Sequence, residues 1–383
     1  MVGPFTLDTY LPSFQDIEAS FGVDRVVLSQ SLGGYLAAFA ISTLAWGPLA
    51  DRFGRRRVIL SSLTLYVLAS IGCAIATDIH TFLLARVVQG LGASGGFIAG
   101  RATIRDAHDA KAAHRAMSQV TLVFALAPAI APILGGWLHD HLGWRSVFWF
   151  LAGLGLLLIG LVLLLEETLN KKHRRSLHPA AVLGAYLRTL IHSHFLRLIL
   201  SLSFAFAGLF LYIAGAPTVI YDFLGLGAGD FGLQFVPMVG GMIAGAWLTG
   251  RLAHRWPIRR TVTFGLFLAS TAALLNLSLA SLVETTAVSV IAPLTLYSLG
   301  FAIAMPAITI QALDYFPQHR GTATSIQGFL QMLISAGVAS LAVPLLQGHW
   351  WQFALGQFAF VLLALGFWLR EAKNFTSITQ DLL

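Results

Sequence analysis

The chain has 383 residues, of which 57% are hydrophobic and 11% charged, and its mean hydropathy is +0.77. Soluble globular chains carry about 25% charged residues, so a deficit spread along the whole length excludes water as the main solvent and implies lipid. The net charge of +7 does not point to nucleic acid, because the basic residues fall in short loops between apolar runs.

Residues 1–14 predict the outer half of a helix shortened at its N-terminus, without the basic leader or cleavage pattern of a signal peptide. A membrane helix needs roughly 20 apolar residues. Runs of about that length predict spans at 30–50, 57–76, 81–103, 117–138, 145–165, 195–219, 232–253, 261–280, 286–310, 322–346 and 351–369. The fold class is therefore all-α and polytopic. A transmembrane barrel would instead alternate in ten-residue segments. With the first helix counted, the chain has twelve spans. The loops alternate in charge, and the basic set runs from Arg52–Arg57 through Arg105, Lys171–Arg175, Arg251–Arg260 and Arg320 to Arg370. The positive-inside rule places that set, and the C-terminus, in the cytoplasm.

The longest polar interval, 166–194, contains Glu166, Glu167 and the Lys171–Arg175 cluster. It divides the chain into a first bundle at 1–168, a linker at 169–194 and a second bundle at 195–383. A basic turn recurs at the same place in each half, Gly47–Arg57 and Gly250–Arg260, and the second copy lacks the Asp. Such faint symmetry is expected of a duplicated transporter.

Polar residues inside spans carry the chemistry. Asp8 costs about 2.5–3.5 kcal/mol at a helix centre on insertion scales. Removal from water favours a neutral carboxyl, so Asp8 reads as a proton or cationic-substrate site; the bland alternative is an interfacial carboxyl near a helix end. Arg86 and Arg101 cannot shed their charge. Arg86 holds an acidic partner or polarises a cavity, whereas Arg101 can also snorkel to the cytoplasmic interface. Gln89 shares a face with Arg86, and Gly90, Gly92, Gly95, Gly96 and Gly100 admit neighbouring helices. Pro128 and Pro132 share a face and, with Gly135 and Gly136, predict either a bent packing helix or a seal that opens and closes.

Asp51 ends its helix, where an acid opposes the dipole unless arginines offset it. Gly47, Asp51, Arg52, Gly54, Arg55, Arg56, Arg105 and Asp106 read as a cytoplasmic charge network, or as a plain surface cluster. Tyr35, Tyr212, Tyr297, Gln327 and Gln331 line a cavity or bond helix to helix. The single cysteine, Cys73, excludes an internal disulfide. The histidines show no metal-ligand spacing; most, such as His173, His178 and His254, read as solvated. No GxxxxGK[ST] loop is present, so ATP drive is not expected.

These residues carry a resemblance. Gly47-x-x-x-Asp51-Arg52-x-Gly54-Arg55-Arg56 resembles the loop 2–3 motif of the major facilitator superfamily. Arg86-Val-Val-Gln89-Gly90-Leu-Gly92 resembles its fourth-helix motif, and Pro128 to Gly136 the fifth-helix motif of its antiporters. Leu7-Asp8-Thr9-Tyr10-Leu11-Pro12, Arg101 to Asp106 and Gly143-Trp144-Arg145 are similar to the bicyclomycin/chloramphenicol-resistance (Bcr/CflA) drug-efflux branch. So are Tyr212 to Pro217 and Phe316 to Ser325. Met305-Pro306-Ala307 departs from the pattern, which has Asn after the Pro.

The resemblance implies two six-helix bundles and a transporter, not an enzyme. It would export small amphipathic compounds in exchange for protons across a bacterial inner membrane by alternating access. An exporter or proton symporter of a small metabolite is the alternative on the same fold. Asp8 would take the proton and substrate role, with Tyr35, Arg86, Gln89, Tyr212 and Gln331 around the cavity. Asp51, Arg52, Arg55 and Asp106 would form the gate, and Pro128 to Gly136 the hinge. The expected partners are a small-molecule substrate, protons and the bilayer, without nucleic acid, metal or cofactor; the proton gradient supplies the energy and the protein is a monomer.

Overall fold

The computed structural model describes residues 2–107, 109–169, 179–252, 255–317 and 319–380. Among them all regular structure is helical, and eleven helices are long and apolar enough to cross a membrane. The predicted cluster Lys171–Arg175 and the histidines His173, His178 and His254 lie outside the described residues.

The chain forms two compact units. Unit 1 comprises Met1–Val182 with Gly227–Gly232, and unit 2 comprises Leu183–Leu226 with Leu233–Leu383. The first helices are α1 (Val2–Asp8) and α2 (Phe14–Phe21), then α3 (Arg25–Phe53), α4 (Arg55–Ile75), α5 (Ile79–Ala107), α6 (Ala110–Leu142) and α7 (Trp144–Leu163). After α8 (Pro179–Leu190) come α9 (Ser193–Ala214), α10 (Phe231–Leu252), α11 (Ile258–Leu282), α12 (Ala287–Asp314) and α13 (Arg320–Gly337). A π-helical turn at Val338–Ala342 joins α13 to α14 (Val343–Leu346), and α15 (Trp350–Gln380) follows.

All eleven predicted spans are helices, and their ends are set by local chemistry. The Asp24 carboxylate accepts from the Val27 N–H at 2.9 Å and caps α3. Gly54, at φ +106°, divides α3 from α4 in a conformation that L side chains avoid.

One expectation needs correction. Residues 1–14 do not form one helix: α1 stops at Asp8, a 3-10 turn covers Leu11–Ser13, and α2 begins at Phe14. Pro12 explains the break, because its ring would clash with the carbonyl four residues back, which belongs to Asp8. The polar interval 166–194 also contains a helix, α8, which begins with Pro at its first position. Its charged flanks mask the apolar positions Leu183, Leu187 and Leu190 in a reading by charge.

Packing repeats between the halves. In unit 1, α4 lies against α5 and α7; in unit 2, α11 lies in the same way against α12 and α15. Ala50, Val58, Ile59, Leu63 and Ala99 form a buried core beside the basic turn, covered by Trp46, Leu49 and Leu158. Unit 2 encloses polar groups in its interior. Asn276 Nδ2 donates to the Tyr212 hydroxyl at 2.6 Å and to Gln357 Oε1 at 2.8 Å. Trp350 Nε1 donates to Asn276 Oδ1 at 3.2 Å, and Gln234 Nε2 to the Tyr212 carbonyl at 2.7 Å. In lipid such groups need internal partners, since unpaired ones cost several kcal/mol.

Candidate functional site

The site in unit 1 begins where α1 ends. Asp8 is 3% exposed, and Thr6, Thr9 and Tyr10 around it are fully buried. Thr6 Oγ1 lies 2.7 Å from the Tyr66 hydroxyl and donates to the Val2 carbonyl at 2.6 Å. The close approach of α6 depends on Gly135, because a Cβ there would overlap the Thr9 carbonyl. This fifth-helix glycine therefore borders the residue next to Asp8. Pro128 and Pro132 lie within α6, which is helical throughout Ala110–Leu142. A Cβ on Gly136 would meet the Ala228 carbonyl.

Arg86 is fully buried on α5. Its guanidinium lies 4.2 Å from the Tyr10 ring centroid and 4.8 Å from that of Tyr35, with Phe148 at 5.9 Å. Such cation–π contacts are worth about 2 kcal/mol or more when desolvated. Arg86 Nη1 donates to Gln89 Oε1, and Gln89 Nε2 donates to Ser70 Oγ at 2.8 Å. Of the two readings of Arg86, an acidic partner or a polarised cavity, the first has no counterpart here: among the described residues no carboxylate pairs with Arg86. Aromatic faces and an amide hold the cation instead. Arg86 Nε and Nη2, the Tyr35 hydroxyl and the Thr9 hydroxyl are buried without a protein partner. Unit 1 thus encloses an ionisable acid, a fixed cation and several unspent donors.

Gly90, one turn from Arg86, meets the backbone of Tyr35: an added Cβ would overlap its carbonyl oxygen and lie 3.1 Å from its Cα. A backbone contact has no flexible end to give way. Gly90→Ala is therefore expected to push α3 from α5, take Tyr35 off the guanidinium and cost about 1–3 kcal/mol. Thermal unfolding in detergent micelles measures this cost. Gly92 similarly meets the Tyr66 backbone, whereas Gly100 has open space around it among the described residues.

The basic turn forms a second constellation in unit 1. Arg55 pairs with Asp51 across Gly54, and Arg55 Nε donates to Asp106 Oδ2 at 3.0 Å. Arg105 reaches Asp106 at 3.7 Å but is 72% exposed, so water screens it. Arg52 is exposed and lies over the Phe53 ring at 5.3 Å, apart from these pairs. Gly47 has room, with Ile98 Cγ2 at 3.8 Å from a Cβ placed there.

Sequence reading missed Glu167 in this network. Its carboxylate accepts from the backbone N–H of Arg55 at 2.8 Å and of Arg56 at 3.2 Å. It fills the N-terminus of α4, where orphan N–H groups and the helix dipole favour an anion. Arg56 Nη2 in turn donates to the Leu163 carbonyl at 2.7 Å. A Cβ on Gly54 would collide with Glu167. A carboxylate 112 residues from its partner leaves no spacing signal.

The remaining candidates lie elsewhere. Tyr212 belongs to the buried network of unit 2, and Tyr297 donates to the Ala205 carbonyl at 2.8 Å. Gln331 is half-buried on α13, where its carbonyl accepts from Ser335, and Gln327 donates to Thr309 at 3.3 Å. Arg101 lies over the Phe97 ring at 4.1 Å.

Comparison with known proteins adds family information to this geometry. A family model described as Major Facilitator Superfamily matches residues 1–340. The chain is 28% identical over 351 residues to a bicyclomycin resistance protein homolog of Haemophilus influenzae, covering 90% of this chain and 87% of the other. It is 26% identical over 360 residues to a chloramphenicol resistance protein of Pseudomonas aeruginosa, covering 90% and 83%. The crystal structure of a bacterial homolog of the human lysosomal transporter Spinster, inward-facing and unoccupied, superposes with a TM-score of 0.73 at 17% identity, over 98% of this chain and 96% of that one. That last likeness speaks to the fold.

Proposed function

This chain belongs to the Major Facilitator Superfamily, and from that premise we propose that it exports small amphipathic compounds from the cytoplasm in exchange for protons. It works as a monomer in a bacterial inner membrane, with the C-terminus in the cytoplasm. The relatives named for bicyclomycin and chloramphenicol resistance support export of drug-like compounds. The observation that carries proton exchange is the burial of Asp8 in the same unit as Arg86, with no ion pair joining them. A carboxylate locked to an arginine would hold its charge; an unlocked one can gain and lose a proton.

In the outward state Asp8 takes a proton and the substrate leaves; in the inward state it releases the proton and substrate binds. Coupling follows from differential affinity in the two states. Arg86, clamped between Tyr10 and Tyr35, presents unspent N–H donors to polar groups of the substrate. Asp51, Arg55 and Asp106 hold the cytoplasmic gate, and the Pro128 to Gly136 segment lets the halves move.

Vesicles containing the purified chain, under an imposed pH gradient, test the reading with chloramphenicol as probe. Drug movement opposite to protons is expected. Accumulation along with protons would instead assign symport, and movement indifferent to the gradient would remove proton coupling.

A further inference from the structure

The two copies of the basic turn satisfy their charge differently. In the first, protein carboxylates take up the arginine charge: Asp51 and Asp106 pair with Arg55, and Glu167 fills the start of α4. The second, Gly250–Arg260, contains no acidic residue. Among the described residues neither Arg251 nor Arg260 has a carboxylate partner. Each lies over a tryptophan, Arg251 at 3.9 Å from Trp247 and Arg260 at 4.5 Å from Trp256. The nearby acid of α15, Glu371, is engaged by His194, Arg197 and Tyr315.

A groove of 580 Å³ opens beside this turn, bordered by α11 and α15. Arg259 and Arg260 supply its charge, and Trp256, Phe264, Phe267 and Leu369 its apolar wall. Arg260, Phe264 and Phe267 follow one another at i, i+4 and i+7 and share a helix face. At 1.5 Å per residue the two phenyl rings sit about 6 and 10 Å further along α11 than the guanidinium. Phe264 and Phe267 are 40% and 50% exposed and Leu369 40%, as expected of a wall that faces acyl chains. The wall is held in place by its own contacts: Trp256 meets Phe264 edge-on at 5.4 Å, and Trp368 Nε1 donates to Thr263 Oγ1 at 2.9 Å.

A cationic mouth above an aromatic slot in a membrane-spanning surface has the chemistry of one ligand class. We propose that this groove binds an anionic phospholipid, with its phosphate on Arg260 and an acyl chain along Phe264, Phe267 and Leu369. The lipid supplies Arg260 with the negative charge that Asp51 and Asp106 supply to Arg55 in the first half. This site is independent of what the protein transports.

Native mass spectrometry of the full chain, titrated with phosphatidylglycerol and with phosphatidylcholine of the same acyl chains, tests the site. Phosphatidylglycerol should bind in preference. Arg260→Gln should weaken it about fivefold, the equivalent of a single interfacial arginine, whereas Arg188→Gln, at an exposed arginine on α8, should not. Phe267→Ser should weaken long-chain but not short-chain phosphatidylglycerol. Equal binding of the two lipids, or equal losses in the Arg188 and Arg260 variants, would overturn the proposal. Displacement of the lipid by millimolar inorganic phosphate would reassign the site to a free anion.

Discussion

Asp8→Asn is expected to remove proton-driven export while leaving the protein folded and inserted. The amide keeps the shape of the carboxyl but has no proton to exchange. One proton crossing one pH unit supplies about 1.4 kcal/mol, or about a tenfold concentration ratio of substrate. The variant should lose that ratio. Its fold should survive because Asp8 makes no ion pair that the change would break, and burying a neutral amide costs less than burying a charge. The measurement is the steady-state drug ratio in vesicles with and without a pH gradient, alongside the thermal unfolding midpoint. A gradient-dependent ratio that persists in Asp8→Asn would dismiss Asp8 as the coupling group.

Arg197→Leu is expected to destabilise unit 2 by about 3 kcal/mol. Glu371 is fully buried near the end of α15. Its carboxylate accepts from His194 Nδ1 at 2.8 Å, Arg197 Nη1 at 3.4 Å and the Tyr315 hydroxyl at 3.1 Å. Burial and the neighbouring carboxylate push the Tyr315 phenol up to about 12, so it remains a donor at ordinary pH. Removing one partner from a buried pair costs about 3–5 kcal/mol, because a charge is left uncompensated. Arg197 is 34% exposed, so solvent screening places the effect at the lower end of that range. Replacing both groups, Arg197→Leu with Glu371→Leu, should recover part of the loss, since the uncompensated charge goes while His194 and Tyr315 lose their acceptor. Unfolding in mixed micelles measures both. If the double variant is no better than the single one, the pair is not the origin of the loss.

The same cluster shows where reading by sequence runs out. His194 stands beside a loop, among histidines expected to be solvated, yet it packs on Tyr315 and bonds Glu371. Glu371 lies 177 residues from His194, and a single acid at the end of an apolar run resembles any interfacial charge. Asn276, Gln357 and Gln234 went unnoticed for a similar reason: each is one polar residue in an apolar span, and its partners lie on other helices. The break at Asp8 was the opposite case. Pro12 stands four residues on, and the clash that ends α1 there was legible from spacing alone.

Hydropathy and loop charge are properties of neighbours along the chain, and a bilayer reads them span by span. The eleven spans, the recurring basic turn and the family motifs were therefore settled by the residue order. Tertiary structure decided which partner each intramembrane charge meets. Arg86 lies between two tyrosines instead of against an acid, and Glu167 rather than a nearby residue fills the start of α4. In lipid an unpaired buried polar group is costly, and which partner, if any, lies within about 3 Å depends on how helices distant in sequence pack together.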